Sequence, residues 1–194
     1  RIQFTDSVLK RINPRGICED QKGRIWLACA IGLVRLNIEN PDSSRIFIPP
    51  GSEAEPEVFC IRETKNEILW LGTIRNGLYA FDPSTETFNA HFFTKDGLID
   101  NSVNAIYEDL HGYFWLSTWK GIARFDPGTG KFNNYGTANG LPFPEFNTNA
   151  DCMDADGTIY FGGEGGVIAF HPDLFVNFET RAALGVESIA IGGE

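Results

Sequence analysis

Two short segments, Arg75-Asn76 and Trp119-Lys120, carry the side chains best suited to bind a ligand. An indole can stack on the apolar face of a sugar ring, and a guanidinium can bind a carboxylate or sulfate through two hydrogen bonds. Amide and ammonium groups add further hydrogen-bond donors. The same residues could equally form a solvated rim without a ligand. Residue types alone leave both interpretations open.

Three Asp-x-x-Gly segments, which begin at Asp20, Asp109 and Asp154, have residue types that could ligate a metal ion. A calcium loop needs further spaced oxygen ligands and a distal acid, and neither follows here. An Asp that caps a tight turn and a Gly with positive φ explain the pattern better. The corresponding segment at Thr64 has lost the acid, which a turn accepts and a metal site does not. We therefore expect structural turns, no metal and no cofactor.

The candidate general bases are His91, His111 and His171. A catalytic site needs a positioned acid, base or metal group, and none of these histidines recurs with an acid partner. The sequence contains no G-x-S-x-G nucleophile motif and no zinc-binding motif. It therefore favours a non-catalytic protein.

One pattern repeats four times along the chain. An aromatic residue recurs at spacings of 44, 45 and 45, a glycine at 45, 44 and 45, and an acid stands six residues before three of the four aromatics. The aromatics are Trp26, Trp70, Trp115 and Tyr160; the glycines are Gly32, Gly77, Gly121 and Gly166; the acids are Asp20, Asp109 and Asp154. A fixed period near 45 residues indicates a repeat architecture.

Each period contains four short runs typical of β-strands, separated by Gly, Pro, Asp and Asn. Four strands in about 45 residues are typical of a β-propeller blade. We predict an all-β chain with four consecutive four-stranded blades, at about 14–48, 57–93, 101–136 and 146–178. Residues 1–13 are predicted to form the outer strand of a preceding blade and a connection.

The recurring aromatics are expected to fill the core between blades, each ring facing the next blade, and not to stack on a ligand. Trp119 differs, because the corresponding loops of the other copies carry no aromatic residue and instead contain Ile31, Asn76 and Gly165. In a four-stranded meander, the loops between the second and third strands emerge on the same face as the loops that lead into the next blade. The predicted site therefore joins Arg75, Asn76, Trp119 and Lys120 with Asn101 and Asn147, and its expected ligand is an oligosaccharide, acidic ones included. A three-residue insertion relative to the other copies falls within residues 140–147.

Composition narrows the possible partners and compartments. The chain has 194 residues, 42% of them hydrophobic, and a formal net charge of −10, which argues against a nucleic-acid partner. No apolar run reaches membrane-spanning length. Cys18, Cys29, Cys60 and Cys152 form no C-x-x-C pair, so free thiols are expected.

The spacing I-x-E-D-x-x-G-x-x-W-x-x-T-x-x-G-[IL], complete at residues 106–122, resembles the two-component regulator propeller repeat. Residues 145–147, 159–163 and 166–172 resemble the last blade of such an array. Residues 186–192 resemble the first strand of the immunoglobulin-like Y_Y_Y domain that follows it. The resemblance thus makes residues 179–194 the start of a truncated domain of that type. Thr64, Cys29 and His171 depart from the family pattern.

This resemblance implies a seven-bladed parent propeller in the periplasmic sensor region of a Bacteroidetes-type hybrid two-component histidine kinase. Such sensors recognise glycan fragments and control polysaccharide-utilisation genes, while the kinase parts are absent from this sequence. The implied neighbours are further blades and the Y_Y_Y domain of the parent chain. Because four blades leave strand edges bare, we expect a partial propeller or pairing of two copies, with residues 1–5 able to supply a strand. A protein-interaction scaffold and a streptogramin-lyase-like propeller enzyme remain open alternatives.

Overall fold

The computed structural model describes residues 12–52 and 56–175, and these form four antiparallel β-sheets. The first sheet contains β1 (Pro14–Glu19), β2 (Ile25–Cys29), β3 (Gly32–Leu36) and β4 (Arg45–Phe47), and the second contains β5 (Val58–Glu63), β6 (Leu69–Thr73), β7 (Leu78–Asp82) and β8 (Thr87–Phe92). The third contains β9 (Val103–Glu108), β10 (Phe114–Thr118), β11 (Ile122–Asp126) and β12 (Lys131–Tyr135), and the fourth contains β13 (Phe146–Met153), β14 (Ile159–Gly163) and β15 (Gly166–Phe170). The helical segments in this part of the chain are short 3-10 turns at Pro41–Ser43, Thr94–Asp96, Thr137–Asn139 and Pro172–Phe175.

Each sheet is a simple meander in which consecutive strands pair. The first strands of neighbouring sheets pack against one another, β1 beside β5, β5 beside β9, and β9 beside β13. Sheets arranged radially in this way are propeller blades, so the predicted all-β propeller is confirmed.

The fourth sheet has three strands among the described residues, one fewer than the other sheets. After Phe170 the chain enters the 3-10 turn at Pro172–Phe175, where the missing N–H of Pro172 does not favour continued pairing. Residues beyond 175 lie outside the described part, as does the predicted immunoglobulin-like segment at 179–194. Residues 1–11 also lie outside it, and with them the predicted outer strand of a preceding blade and most of the predicted connection.

The recurring tryptophans fill the spaces between blades. Trp26 and Trp115 are fully buried, and Trp70 is nearly so. Trp115 packs on Phe170 of the fourth blade with ring centroids 4.9 Å apart, and Trp70 packs at the same distance on Phe114 of the third blade. Tyr160 is only partly buried, because no described sheet follows the fourth blade.

A hydrogen-bonded turn explains the spacing of six residues between acid and aromatic. In the first blade, Asp20 Oδ1 accepts the backbone N–H groups of Lys22 and Arg24 at 3.0 and 2.9 Å, and Oδ2 accepts the indole N–H of Trp26 at 2.8 Å. Burial raises the pKa of Asp20, but the hydrogen bonds from Trp26 and Arg24 outweigh it and hold that pKa below its ordinary value. All of these hydrogen bonds lie within the β1–β2 hairpin, so the Asp20 carboxylate has a structural role there.

The same turn recurs in the third and fourth blades. Asp109 Oδ2 accepts the indole N–H of Trp115 at 2.9 Å, and Asp154 Oδ2 accepts the hydroxyl of Tyr160 at 3.0 Å. In the second blade Thr64 occupies the place of the acid, so Trp70 has no carboxylate at this position. The aromatic and the turn acid form one repeated structural pair.

The repeated glycine closes the loop between the second and third strands of each blade. Gly77 and Gly121 have φ values of +75° and +142°, and a Cβ on either would overlap a carbonyl oxygen of the outer strand. Thr73 and Thr118 complete the loop, because each hydroxyl donates to the carbonyl of the glycine, at 2.9 and 2.8 Å. A threonine three or four residues before the repeated glycine thus encodes a tight loop at one end of the propeller.

Candidate functional site

A cleft of about 370 Å³ lies at this end of the propeller, between the third and fourth blades. It is lined by Trp119, Glu145, Phe146, Asn147 and Glu164. Trp119 comes from the β10–β11 loop and Glu164 from the β14–β15 loop. Glu145 immediately precedes β13, and the other two are its first residues. The volume falls in the range of pockets for small ligands.

Trp119 presents a partly exposed indole on a firmly held loop. Its backbone N–H donates to the buried Ser102 hydroxyl at 3.1 Å, and the N–H of Lys120 donates to the Thr118 hydroxyl at 3.1 Å. The residue is nevertheless 42% exposed. A large aromatic held in place but open to solvent can stack on a ligand with little loss of side-chain entropy.

The opposite wall of the cleft is an irregular part of β13. Phe146 pairs with Gly163, but the next pair joins Asp151 to Phe161, so residues 147–150 face Gly162 alone. Asn149 has a φ of +60° within this bulge. Bulges of this kind redirect side chains and are frequent beside functional sites. Here the bulged segment begins at Asn147 on the cleft wall.

The third blade holds this wall in place. The buried Asn104 donates from Nδ2 to the carbonyl of Phe146 at 2.9 Å, and its Oδ1 accepts the Thr148 hydroxyl at 3.3 Å. Further along β13, Asp151 accepts the Tyr107 hydroxyl at 2.7 Å. Burial and this hydrogen bond both raise the pKa of Tyr107. Side-chain hydrogen bonds from β9 therefore hold β13 where the bulge interrupts its regular pairing with β14.

Of the six residues predicted for the site, Trp119 and Asn147 line the cleft. Lys120 forms an ion pair with Asp100 at 3.2 Å, and Arg75 forms one with Glu57 at 3.2 Å. Arg75 belongs to the equivalent loop of the second blade and thus lies at the same end of the propeller.

The two other predicted amides stabilise loops. Asn101 accepts the Thr94 N–H on its side chain at 2.9 Å and the Gly77 N–H on its backbone carbonyl at 2.8 Å. The backbone N–H of Asn76 donates to the Thr73 hydroxyl at 2.9 Å, and its carbonyl lies 2.6 Å from His91 Nε2. The side chain of Asn101 therefore has a structural role, whereas the bonds of Asn76 are made by its backbone and do not depend on its side chain.

Glu145, Phe146 and Glu164 were missed by sequence reasoning. Glu145 lies in the stretch 140–147, which contains the three-residue insertion, and that insertion was the available signal. Glu164 lies in the loop that corresponds to Trp119-Lys120. No cation is among the lining residues, so the two carboxylates make the cleft negative. The negative charge of the cleft disfavours acidic saccharides, which were among the ligands expected from the sequence.

Each of the three histidines contacts a neighbouring ring, carboxylate or carbonyl group. His91 stacks on Tyr79 with centroids 3.9 Å apart, His111 lies 3.1 Å from an Asp173 carboxylate oxygen, and His171 Nε2 lies 2.9 Å from the Asp156 carbonyl. Among residues 12–52 and 56–175, no group of three or more His, Cys, Asp or Glu side chains is arranged to hold a metal ion. None of the helical turns described above is long and apolar enough to cross a membrane.

Comparisons with known proteins show where this fold recurs. No protein-family model matches the chain. Histidine kinase P4 of Formosa agariphila is 29% identical over 187 residues, which cover 90% of this chain and 14% of that protein. The chain therefore spans about a seventh of this curated relative.

Two solved structures are extracellular domains assigned to hybrid two-component systems of B. thetaiotaomicron. The first has a TM-score of 0.71 at 20% identity and covers 88% of this chain and 25% of that one. The second has a TM-score of 0.55 at 20% identity and covers 87% and 29%. The computationally designed Ika4 protein also matches, with a TM-score of 0.59 at 11% identity. The chain is thus similar in fold to extracellular propeller domains of bacterial signalling proteins, and in sequence to part of a histidine kinase.

Proposed function

We propose that this chain is a non-catalytic segment of the periplasmic sensor region of a hybrid two-component protein. In this proposal, the cleft beside Trp119 binds glycan fragments, and occupancy of the cleft controls polysaccharide-utilisation genes. Similarity to Histidine kinase P4 and to the extracellular domains from B. thetaiotaomicron supports the signalling context. The observation that carries the ligand proposal is the exposed indole of Trp119 in a cleft lined by polar groups.

The chemistry of the cleft suits a neutral or basic saccharide. The indole offers an apolar face to the C–H groups of a sugar ring. The carboxylates of Glu145 and Glu164 accept hydrogen bonds from hydroxyl groups, and the amide of Asn147 both donates and accepts. A concave site with one aromatic surface and a few polar groups is the usual form of a small-molecule site.

Ligand binding would bridge two blades, because Trp119 belongs to the third blade and Glu145, Asn147 and Glu164 belong to the fourth. A ligand shifts a conformational equilibrium when it has different affinities for the two states. Contacts to both blades would give such a difference wherever the angle between the blades differs between states. The cleft is therefore suitably placed for signal reception.

A binding titration of the parent sensor region with a glycan panel tests this proposal. We expect Trp119→Ala to weaken binding by at least about tenfold, which corresponds to about 1.4 kcal/mol. Leu110→Ala is the matched control, because Leu110 is 81% exposed in a turn at the opposite end of the blade. If the wild type and a folded Trp119→Ala variant bind with equal affinity, the cleft is not the glycan-binding site. Glycan turnover by the purified chain would contradict the non-catalytic assignment.

The open side of the fourth blade supports a second role in protein contact. Val167 is 58% exposed, and Tyr160, which lies on the same face of the sheet, is partly open to solvent. Cys152, the partner of Tyr160 on the neighbouring strand, is exposed on that face as well. In the three preceding blades the aromatic at the position of Tyr160 packs on the next blade. We infer that a neighbouring blade or the Y_Y_Y domain of the parent chain covers this side, with a homodimer as the alternative. Light scattering of the isolated chain and of the parent region distinguishes them, because a dimer seen only for the isolated chain favours coverage by the parent chain.

A further inference from the structure

We propose that the cleft beside Trp119 prefers a saccharide unit with a protonated amine, such as an unacetylated amino sugar, and discriminates against anionic units. This inference rests on the proposed function and adds the ligand class. It follows from the combination of an exposed indole with two carboxylates and from the absence of a cation among the lining residues.

The two carboxylates approach the cleft from different strands. Glu145 immediately precedes β13, and Glu164 lies in the turn between β14 and β15. Both residues are exposed, and within the described part of the chain neither side chain forms an ion pair. Their charges therefore remain available to a ligand.

The nearest cationic candidate in sequence is engaged elsewhere. Lys120 follows Trp119 directly, but its Nζ lies 3.2 Å from an Asp100 carboxylate oxygen. Arg75, in the equivalent loop of the second blade, lies 3.2 Å from Glu57. Neither lines the cleft. A carboxylate or sulfate on a ligand would thus meet two like charges without a cation among the lining residues.

A protonated amine matches this set of groups. An ammonium group has three N–H donors, which suit carboxylate acceptors on different sides of one cleft. The face of an indole attracts a cation through its quadrupole. The same indole stacks on the C–H face of the sugar ring that carries the amine. One amino-sugar unit could therefore contact Trp119, Glu145 and Glu164 together.

The charge of the whole chain acts in the same direction. A formal net charge of −10 raises the local concentration of cationic ligands and lowers that of anionic ones. Salt weakens such interactions at exposed sites, because the Debye length is about 8 Å at physiological ionic strength. Preference for the amine should therefore decrease as salt concentration rises, whereas stacking on the indole should change little.

Calorimetric titrations of the parent sensor region at about pH 6 test the inference. The probes are a glucosamine tetramer, the matching N-acetylglucosamine tetramer and a galacturonate tetramer. Exposed charge interactions are individually weak, so we expect the glucosamine tetramer to bind roughly fivefold more tightly than its acetylated form, which corresponds to about 1 kcal/mol. The galacturonate tetramer should bind most weakly.

Two variants locate the preference. The double variant Glu145→Gln and Glu164→Gln keeps the size of both side chains, and we expect it to bind the two glucosamine-derived tetramers with similar affinities. Glu39→Gln removes an exposed charge in the β3–β4 connection, away from the cleft, and should retain the full preference. Thermal unfolding checks that all variants are folded.

The outcomes separate this inference from the proposed function. Equal binding of the two tetramers by the wild type, or tighter binding of galacturonate, overturns the amine preference. If that binding still depends on Trp119, the glycan-sensing proposal stands. Binding of none of the three probes overturns the preference, and the wider glycan panel with Trp119→Ala then decides the proposed function. A preference that persists in the double variant also overturns the inference, because the carboxylates would not be its cause.

Discussion

Replacing Trp115 with Phe tests whether the indole and the turn acid act as one stabilising pair. Trp115 is fully buried, and its Nε1 donates to Asp109 Oδ2 at 2.9 Å. Phe keeps an aromatic ring in the space between blades but has no N–H. Asp109, only 7% exposed, would then have lost its hydrogen bond from the indole while still accepting the backbone N–H groups of the turn.

Trp70 supplies a matched control within the same chain. It occupies the equivalent place in the second blade and packs on Phe114 with ring centroids 4.9 Å apart, but Thr64 stands where the acid would be. Both Trp→Phe changes lose similar ring volume, whereas only Trp115→Phe loses a hydrogen bond to a carboxylate. Such a bond contributes about 1.5–3 kcal/mol. We expect Trp115→Phe to lower the free energy of unfolding by about 2 kcal/mol more than Trp70→Phe.

Urea unfolding followed by circular dichroism measures both losses, provided that the slope with denaturant is unchanged. A double-mutant cycle with Asp109→Asn then isolates the coupling between the two side chains, which we expect to reach about 1–2 kcal/mol. Equal losses for Trp70→Phe and Trp115→Phe, or a coupling energy near zero, would refute the idea that the repeated acid stabilises the fold through the indole.

Three further predictions concern pH, the loop glycines and the thiols. Burial raises the pKa of Asp20, but hydrogen bonds from an indole and a guanidinium hold that pKa below its ordinary value. The stability that the Asp20 carboxylate provides is therefore present above about pH 4 and is lost as the pH falls through the folded-state pKa. Asp20→Asn should flatten the acid limb of a plot of unfolding free energy against pH. Gly121→Ala should lower the melting temperature far more than Gly112→Ala, because both glycines have positive φ but only at Gly121 would the Cβ overlap a carbonyl oxygen; equal shifts would contradict the packing argument. A thiol reagent at neutral pH should modify the exposed Cys152 well before Cys60, since burial raises the pKa of Cys60 to about 12, and mass spectrometry of partly labelled protein would show the order.

The repeat made the fold predictable, because each blade is encoded within a contiguous stretch of chain. The spacing of Trp26, Trp70 and Trp115 indicated where the second strand of each blade lies, and the glycine that follows indicated the next loop. Both signals reflect local geometry, because the tryptophan lies on a strand that is buried on both faces and the glycine has a positive φ. The hydrogen bond from Trp115 to Asp109 could also have been inferred from the sequence, since the spacing of six residues recurs in three blades.

The site was less predictable, because its walls depend on contacts between blades. Trp119 stood out as an aromatic that the repeat does not require, and it lines the cleft. The hydrogen bond from Asn104 to the Phe146 carbonyl joins residues 42 positions apart, and it holds the bulged segment of β13 against the third blade; no local pattern indicates either feature. Glu164 reaches the cleft only because the fourth blade packs on the third. The ion pair of Arg75 with Glu57, 18 positions earlier in the chain, is likewise a contact that the repeat pattern does not indicate.

The hydrogen bonds that join different blades have a consequence for how the chain unfolds. Within each sheet, pairing is confined to strands that follow one another, so a blade can form or open without rearranging distant chain. The third blade is held on both sides, by Arg62 through the Ile106 carbonyl and by Asp151 through the Tyr107 hydroxyl. A linear array with nearest-neighbour coupling opens most readily at its ends, and amide hydrogen exchange reports such partial opening. In the isolated chain, protection should therefore be greatest in the second and third blades and lower in the first and fourth. The cleft would then adjoin a slowly exchanging blade on one side and a more labile blade on the other.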